Sequence, residues 1–164
     1  MPGCTVPSVR NRYRVLLALA CTIGAQSFVA ASISISKTQA LSFGKFVAGN
    51  GSITISPAGA RSATGGVITL SSDPGQAAQF MVTGDAFATY LVTLPADGTV
   101  TMDNGGNRLS VNAFTSSPAF AGVLSGGGTQ LLSVGARLDV IAGKSTGAYS
   151  GSISGSVMVE VDYN

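Results

Sequence analysis

Residues Gly49-Asn50-Gly51-Ser52-Ile53-Thr54-Ile55 set a turn directly against a run of period two. Ile53 and Ile55 alternate with Ser52 and Thr54, so one side of the segment is apolar and the other polar, as in a half-buried strand. A helix would instead need apolar residues three and four apart. The Gly-Asn-Gly triplet supplies the positive-φ positions that tight turns between strands require.

The same grammar extends in both directions. Apolar residues stand two apart at Ile33 and Ile35, Leu41 and Phe43, Phe80 and Val82, and Tyr90, Val92 and Leu94. Further runs cover Val67 to Leu70, Thr99 to Met102, Leu109 to Phe114, Leu131 to Val140 and Ile153 to Tyr163, for about nine short strands. Between them lie Gly65-Gly66, Asp73-Pro74-Gly75, Pro95-Ala96-Asp97-Gly98, Asn104-Gly105-Gly106-Asn107 and Gly126-Gly127-Gly128. No run of ten residues carries helical spacing. The pattern predicts an all-β protein, an immunoglobulin-like antiparallel β-sandwich with Greek-key connections, with a closed barrel as the alternative.

The first thirty residues obey a different rule. Arg10, Arg12 and Arg14 precede an apolar run from Val15 through Ile23, which relaxes into small residues. That order is expected of a secretory signal peptide over residues 1–31, with cleavage between 25 and 31. The run is short of the roughly 20 residues a bilayer-spanning helix needs. A single domain is then expected over residues 32–164, exported through the periplasm to the cell surface or beyond.

Without the leader, six basic residues face seven acidic ones, so the formal charge changes from +2 to −1. Lys37, Lys45, Arg61, Arg108, Arg137 and Lys144 are scattered, and no nucleic-acid partner is expected. Cys4 and Cys21 both fall in the leader, which leaves the exported chain to hold itself together by packing. Cys21 follows Ala18-Leu19-Ala20, a poor match to a lipidation site.

Chemistry is restricted further by composition. The 164 residues contain no His, which excludes Ser-His-Asp and Cys-His catalysis and His-ligated metals. Most of the acids, Asp73, Asp85, Asp97 and Asp103 among them, sit in or beside expected turns, where capping accounts for them. Asp97 and Asp103 have nothing apolar around them to raise a pKa for glycosidase chemistry. Asp97, Asp103, Asn104 and Asn107 are oxygen-rich but do not have the spacing of an EF-hand loop. Neither glycine cluster continues as a phosphate-binding loop. With no Trp, there is little material for a sugar-stacking platform. Arg137 and Asp139 fall on the face opposite Val134, Ala136, Leu138 and Val140, which reads as a solvated face. The chain is expected to be no enzyme and to need no cofactor or metal.

The two ends carry the functional signal. Ile153, Gly155, Val157, Val159, Val161 and Tyr163 occupy alternate positions up to the penultimate residue, and Gly151 stands fourteenth from the end. At the other end Val29, Ala31, Ile33 and Ile35 alternate in a segment with no evident hairpin partner. A long apolar edge is normally blunted with charge or proline, and the central part of the last run has neither.

The penultimate Tyr163, Gly151 and the alternation between them resemble the C-terminal motif of chaperone-usher pilins. A longer set of segments resembles an uncharacterised bacterial pilin-like family of unknown function. It comprises Leu41-Ser42-Phe43-Gly44, Ser133-Val134-Gly135-Ala136-Arg137-Leu138, Gly147-Ala148-Tyr149-Ser150-Gly151 and Val159-Glu160-Val161-Asp162-Tyr163. This resemblance implies an incomplete immunoglobulin-like sandwich, completed by a donor strand from another molecule, as in donor-strand complementation of pilins. Gly151, Ile153, Val157, Val159, Val161 and Tyr163 would form the acceptor groove, and Val29, Ala31, Ile33 and Ile35 the donor strand. The implied partners are other pilin subunits, a periplasmic chaperone and an outer-membrane usher. The implied function is a structural subunit of a bacterial surface fibre, a fimbria or pilus. The alternative is a secreted monomeric β-sandwich that works as a binding or adhesion module, which requires Ile33 and Ile35 to pair within their own domain.

Overall fold

The computed structural model describes residues 32–104, 107–143, 153–154 and 160–163, all within one unit that spans Ala31–Asn164. Among these residues there are strands and turns and no helix. The expected leader lies outside the described residues, together with Val29 and Ala31.

Thirteen strands are described: β1 (Ser34–Gln39), β2 (Phe46–Val47), β3 (Gly51–Ile55), β4 (Arg61–Gly65), β5 (Ile68–Thr69), β6 (Ala78–Thr83), β7 (Thr89–Thr93), β8 (Val100–Asn104), β9 (Asn107–Ser117), β10 (Ala121–Val123), β11 (Thr129–Val140), β12 (Ile153–Ser154) and β13 (Glu160–Tyr163). Every pairing is antiparallel. The protein is therefore all-β, with curled antiparallel sheets in a sandwich-like arrangement.

β11 organises the larger sheet. One edge pairs with β6 over Thr129 to Val134 and then with β3 over Ala136 to Val140, while the other edge follows β9. The change of partner coincides with a register shift between Gly135 and Arg137. A Cβ on Gly135 would stand 2.2 Å from the Ile55 carbonyl oxygen, so only glycine lets β3 approach this closely. The sheet continues from β6 to β1, from β3 to β4, and from β9 through β8 to β12. β10, β7 and β13 form a second sheet, and β2 pairs with β5.

Period two places the core as expected. Ile53, Ile55, Val82, Tyr90, Leu132, Val134 and Leu138 are fully buried and belong to one apolar cluster fed by both main sheets. Burying each such side chain contributes about 1.5–3 kcal/mol. Among the described residues no polar or charged side chain is buried. Arg137 and Asp139 form a half-exposed ion pair at 2.9 Å on the opposite face of β11.

Three expectations change. Leu41 and Phe43 are buried, but their segment makes only an isolated bridge at Ser42 opposite Gln76. Two hydrogen bonds, Ser42 N–H to Gln76 O at 2.9 Å and the reverse at 2.7 Å, hold it. β4, built from Arg, Ser, Ala, Thr and Gly, has no apolar alternation to announce it and pairs through its backbone with β3. The two described parts of the final run lie in different sheets. Ile153 and Ser154 pair with β8 in the large sheet, and Glu160 to Tyr163 pair with β7 in the small one.

Candidate strand-exchange site

The candidate site is a pair of edge strands, β1 and β13, the first and the last in the sequence of the described unit. β13 uses one edge to pair with β7, setting Val161 opposite Val92 and Tyr163 opposite Tyr90. Val92 and Tyr90 are buried while Leu91 between them is exposed, so the positions of Val161 and Tyr163 register with the inward face. Asp162 stands opposite Leu91, and Glu160 opposite Thr93. Among the described residues the outer edge of β13 has no ladder partner.

Tyr90 anchors this sheet. Its hydroxyl donates to Gln130 Oε1 at 2.8 Å, and burial pushes the phenol above its usual pKa. The ring lies across β10 at Gly122, where an added Cβ would come within 2.4 Å of both the ring and the hydroxyl. Glycine at that position gives the ring its seat.

β1 forms the other edge. Its backbone pairs with β6, with Ile35 opposite Val82 and Ser36 opposite Met81. Ile33 and Ile35 are half-buried and pack against the core. The polar face adds side-chain bonds along the ladder: the hydroxyls of Ser34, Ser36 and Thr38 donate to the carbonyls of Thr83, Met81 and Gln79 at 3.4, 3.4 and 3.1 Å. Lys37 is exposed on this edge strand. β1 also passes close to β13 in the same molecule.

The residues expected to form the site are thus distributed as follows. Ile33 and Ile35 lie at the start of the molecule's own edge strand. Val161 and Tyr163 lie on β13 near it, and Ile153 lies opposite Met102 in the other sheet. Gly151, Val157, Val159, Val29 and Ala31 fall outside the described residues. The partner of β1 is β6, more than forty residues along the chain, and no local sequence signal marks so distant a pairing.

Asp97, considered above as an oxygen ligand, uses Oδ1 to accept the Ala113 N–H at 2.7 Å, which fastens the β7–β8 connection to the left-handed bend in β9. Among the described residues no group of three or more His, Cys, Asp or Glu is placed to hold a metal ion. The chemistry the site offers is backbone hydrogen bonding along an edge.

A family model described as a domain of unknown function, DUF4402, matches residues 33–163, from the first core-facing residue ahead of β1 to the last residue of β13. No curated protein and no solved structure matches the chain.

Proposed function

The chain belongs to the DUF4402 family, and from that premise we propose that it is a structural subunit of a bacterial surface fibre, assembled by donation of a strand between copies. The single observation carrying this reading is β13, which registers with core residues of β7 and whose other edge has no ladder partner among the described residues. An added strand there would gain a ladder of backbone bonds and cover the apolar positions. The donor is the segment bearing Val29, Ala31, Ile33 and Ile35. Because Ile35 already pairs with Val82 in its own chain, donation requires β1 to leave its own β6. Each exchanged strand then joins one copy to the next, and head-to-tail contacts of that kind do not close. In this reading the chain is exported, a periplasmic chaperone occupies the edge before assembly, and an usher delivers subunits to the surface.

A secreted monomeric β-sandwich acting as a binding or adhesion module is the second reading. The observation that favours it is the intramolecular pairing of β1 with β6.

The two readings separate on a disulfide lock. Ser36 and Met81 stand directly opposite each other, so Ser36→Cys with Met81→Cys can pin β1 to its own β6. Aspartates at Ile33 and Ile35 would be less informative, because both residues pack on the molecule's own core. The fibre reading expects wild-type protein to give a ladder of detergent-resistant multimers on unboiled gels. The oxidised variant should run as a monomer and regain the ladder on reduction. A wild-type monomer with cooperative unfolding would replace the fibre by the monomeric module. A ladder that survives in the oxidised variant would remove β1 as the donor.

A further inference from the structure

Two separate apolar surfaces are exposed among the described residues. One is the outer face of the three-stranded sheet. Leu91 and Val123 point to solvent there across the β7–β10 ladder, with Phe87 and Phe120 at its two ends, 74% and 84% exposed. Both phenylalanines hold positive φ, 61° and 57°, a conformation that bulky residues seldom adopt. Strained and exposed aromatic residues of this kind mark surfaces that are used. The other surface is the β2–β5 pair, where Val47 stands directly opposite Ile68 and Leu70 follows two residues on; Ile68 is 62% exposed.

The rims of the two surfaces differ in sign. Asp162 and Glu160 of β13 stand opposite Leu91 and Thr93 at the border of the first. Exposed Lys45 lies two residues before Val47 and beside Leu70, whose N–H it accepts, at the border of the second. We infer that the occupant of the aromatic face is a second copy of this chain, docked through its β2–β5 face with Lys45 towards the acidic rim. Pairing the aromatic face with itself would set acids against acids, whereas pairing it with the β2–β5 face sets opposite charges at the rim around an apolar centre. Two different surfaces on one chain make a heterologous contact, which can propagate from copy to copy. The contact uses sheet faces and needs no free strand edge, so it is independent of strand exchange.

The test uses the full chain carrying the oxidised Ser36→Cys and Met81→Cys lock, in which strands are not expected to exchange, followed by sedimentation velocity over a concentration series. Locked protein is expected to self-associate reversibly and to come apart in detergent. Val123→Asp, opposite Thr89 on the aromatic face, and Ile68→Asp each alter an exposed residue, and each should weaken association about tenfold or more while leaving the melting temperature near that of the parent. Mixed together, the two variants should form a 1:1 dimer and stop there, because each retains one intact surface. Three results would overturn the inference: locked protein that stays monomeric at high concentration, Ile68→Asp that associates as well as its parent, or a mixture that remains monomeric. Failure of strand exchange leaves all three readouts unaffected.

Discussion

Tyr90 illustrates how far a single residue can be read from sequence. Its place in an alternating run predicts an inward side chain, and the ring is fully buried. Its hydroxyl partner, Gln130, is forty residues away and carries no local mark. The raised phenol pKa has a definite consequence, since the folded state holds the proton to higher pH than the unfolded chain does. That contribution to stability is constant below the ordinary tyrosine value of about 10 and is lost as pH rises above it. Tyr90→Phe should therefore cost about 1 kcal/mol at neutral pH and show a shallower alkaline decline, measured by urea unfolding from pH 7 to 11. Tyr13, Tyr149 and Tyr163 are the same in both proteins, so the difference between the two curves isolates Tyr90. Arg61 is a second case. In sequence it is one of several scattered cations, but in the fold Nη1 donates to the carbonyls of Phe43, Lys45 and Asp73, and Nη2 to that of Leu70 at 2.7 Å. It clamps β4 to the segments before β2 and after β5. A lysine ammonium lacks the planar fork to reach both sides, so Arg61→Lys is expected to lower the unfolding free energy by about 2 kcal/mol in the same assay.

At the scale of elements, period two locates strands whose two faces differ and misses strands whose faces are alike. β3, β6, β7 and β11 follow from alternating apolar residues. β4 does not, because Ser, Ala and Thr leave both of its faces equally polar. The change of partner along β11 is similarly hidden: Leu131 to Val140 reads as one continuous strand, and nothing local says that it exchanges β6 for β3 halfway along. Gly135 makes that exchange possible, with the Ile55 carbonyl 2.2 Å from where a Cβ would sit. The obstacle is backbone from the neighbouring strand, so Gly135→Ala should force β3 and β11 apart. A loss of about 2–3 kcal/mol is expected, read as a lower urea midpoint at unchanged slope. An unchanged midpoint would mean that the β3–β11 contact adapts without cost.

At the scale of the whole molecule, the proposed function depends on which edges the assembled sheets leave open. Composition and period two are sufficient to specify an all-β chain with a solvated β11 face at Arg137 and Asp139, and alternation at the two ends points to its terminal strands. These properties are local: they follow from side-chain polarity and turn chemistry within a few residues. Pairing is non-local. The docking of β1 onto β6, the division of the last run between two sheets, and the approach of β1 to β13 all depend on how remote segments share one core. An alternating segment has the same pattern whether its edge is covered by its own chain, covered by another, or left open. The sequence therefore carries the strands and their buried faces, while their neighbours and open edges emerge only when distant apolar faces close on one core and backbone groups pair across it.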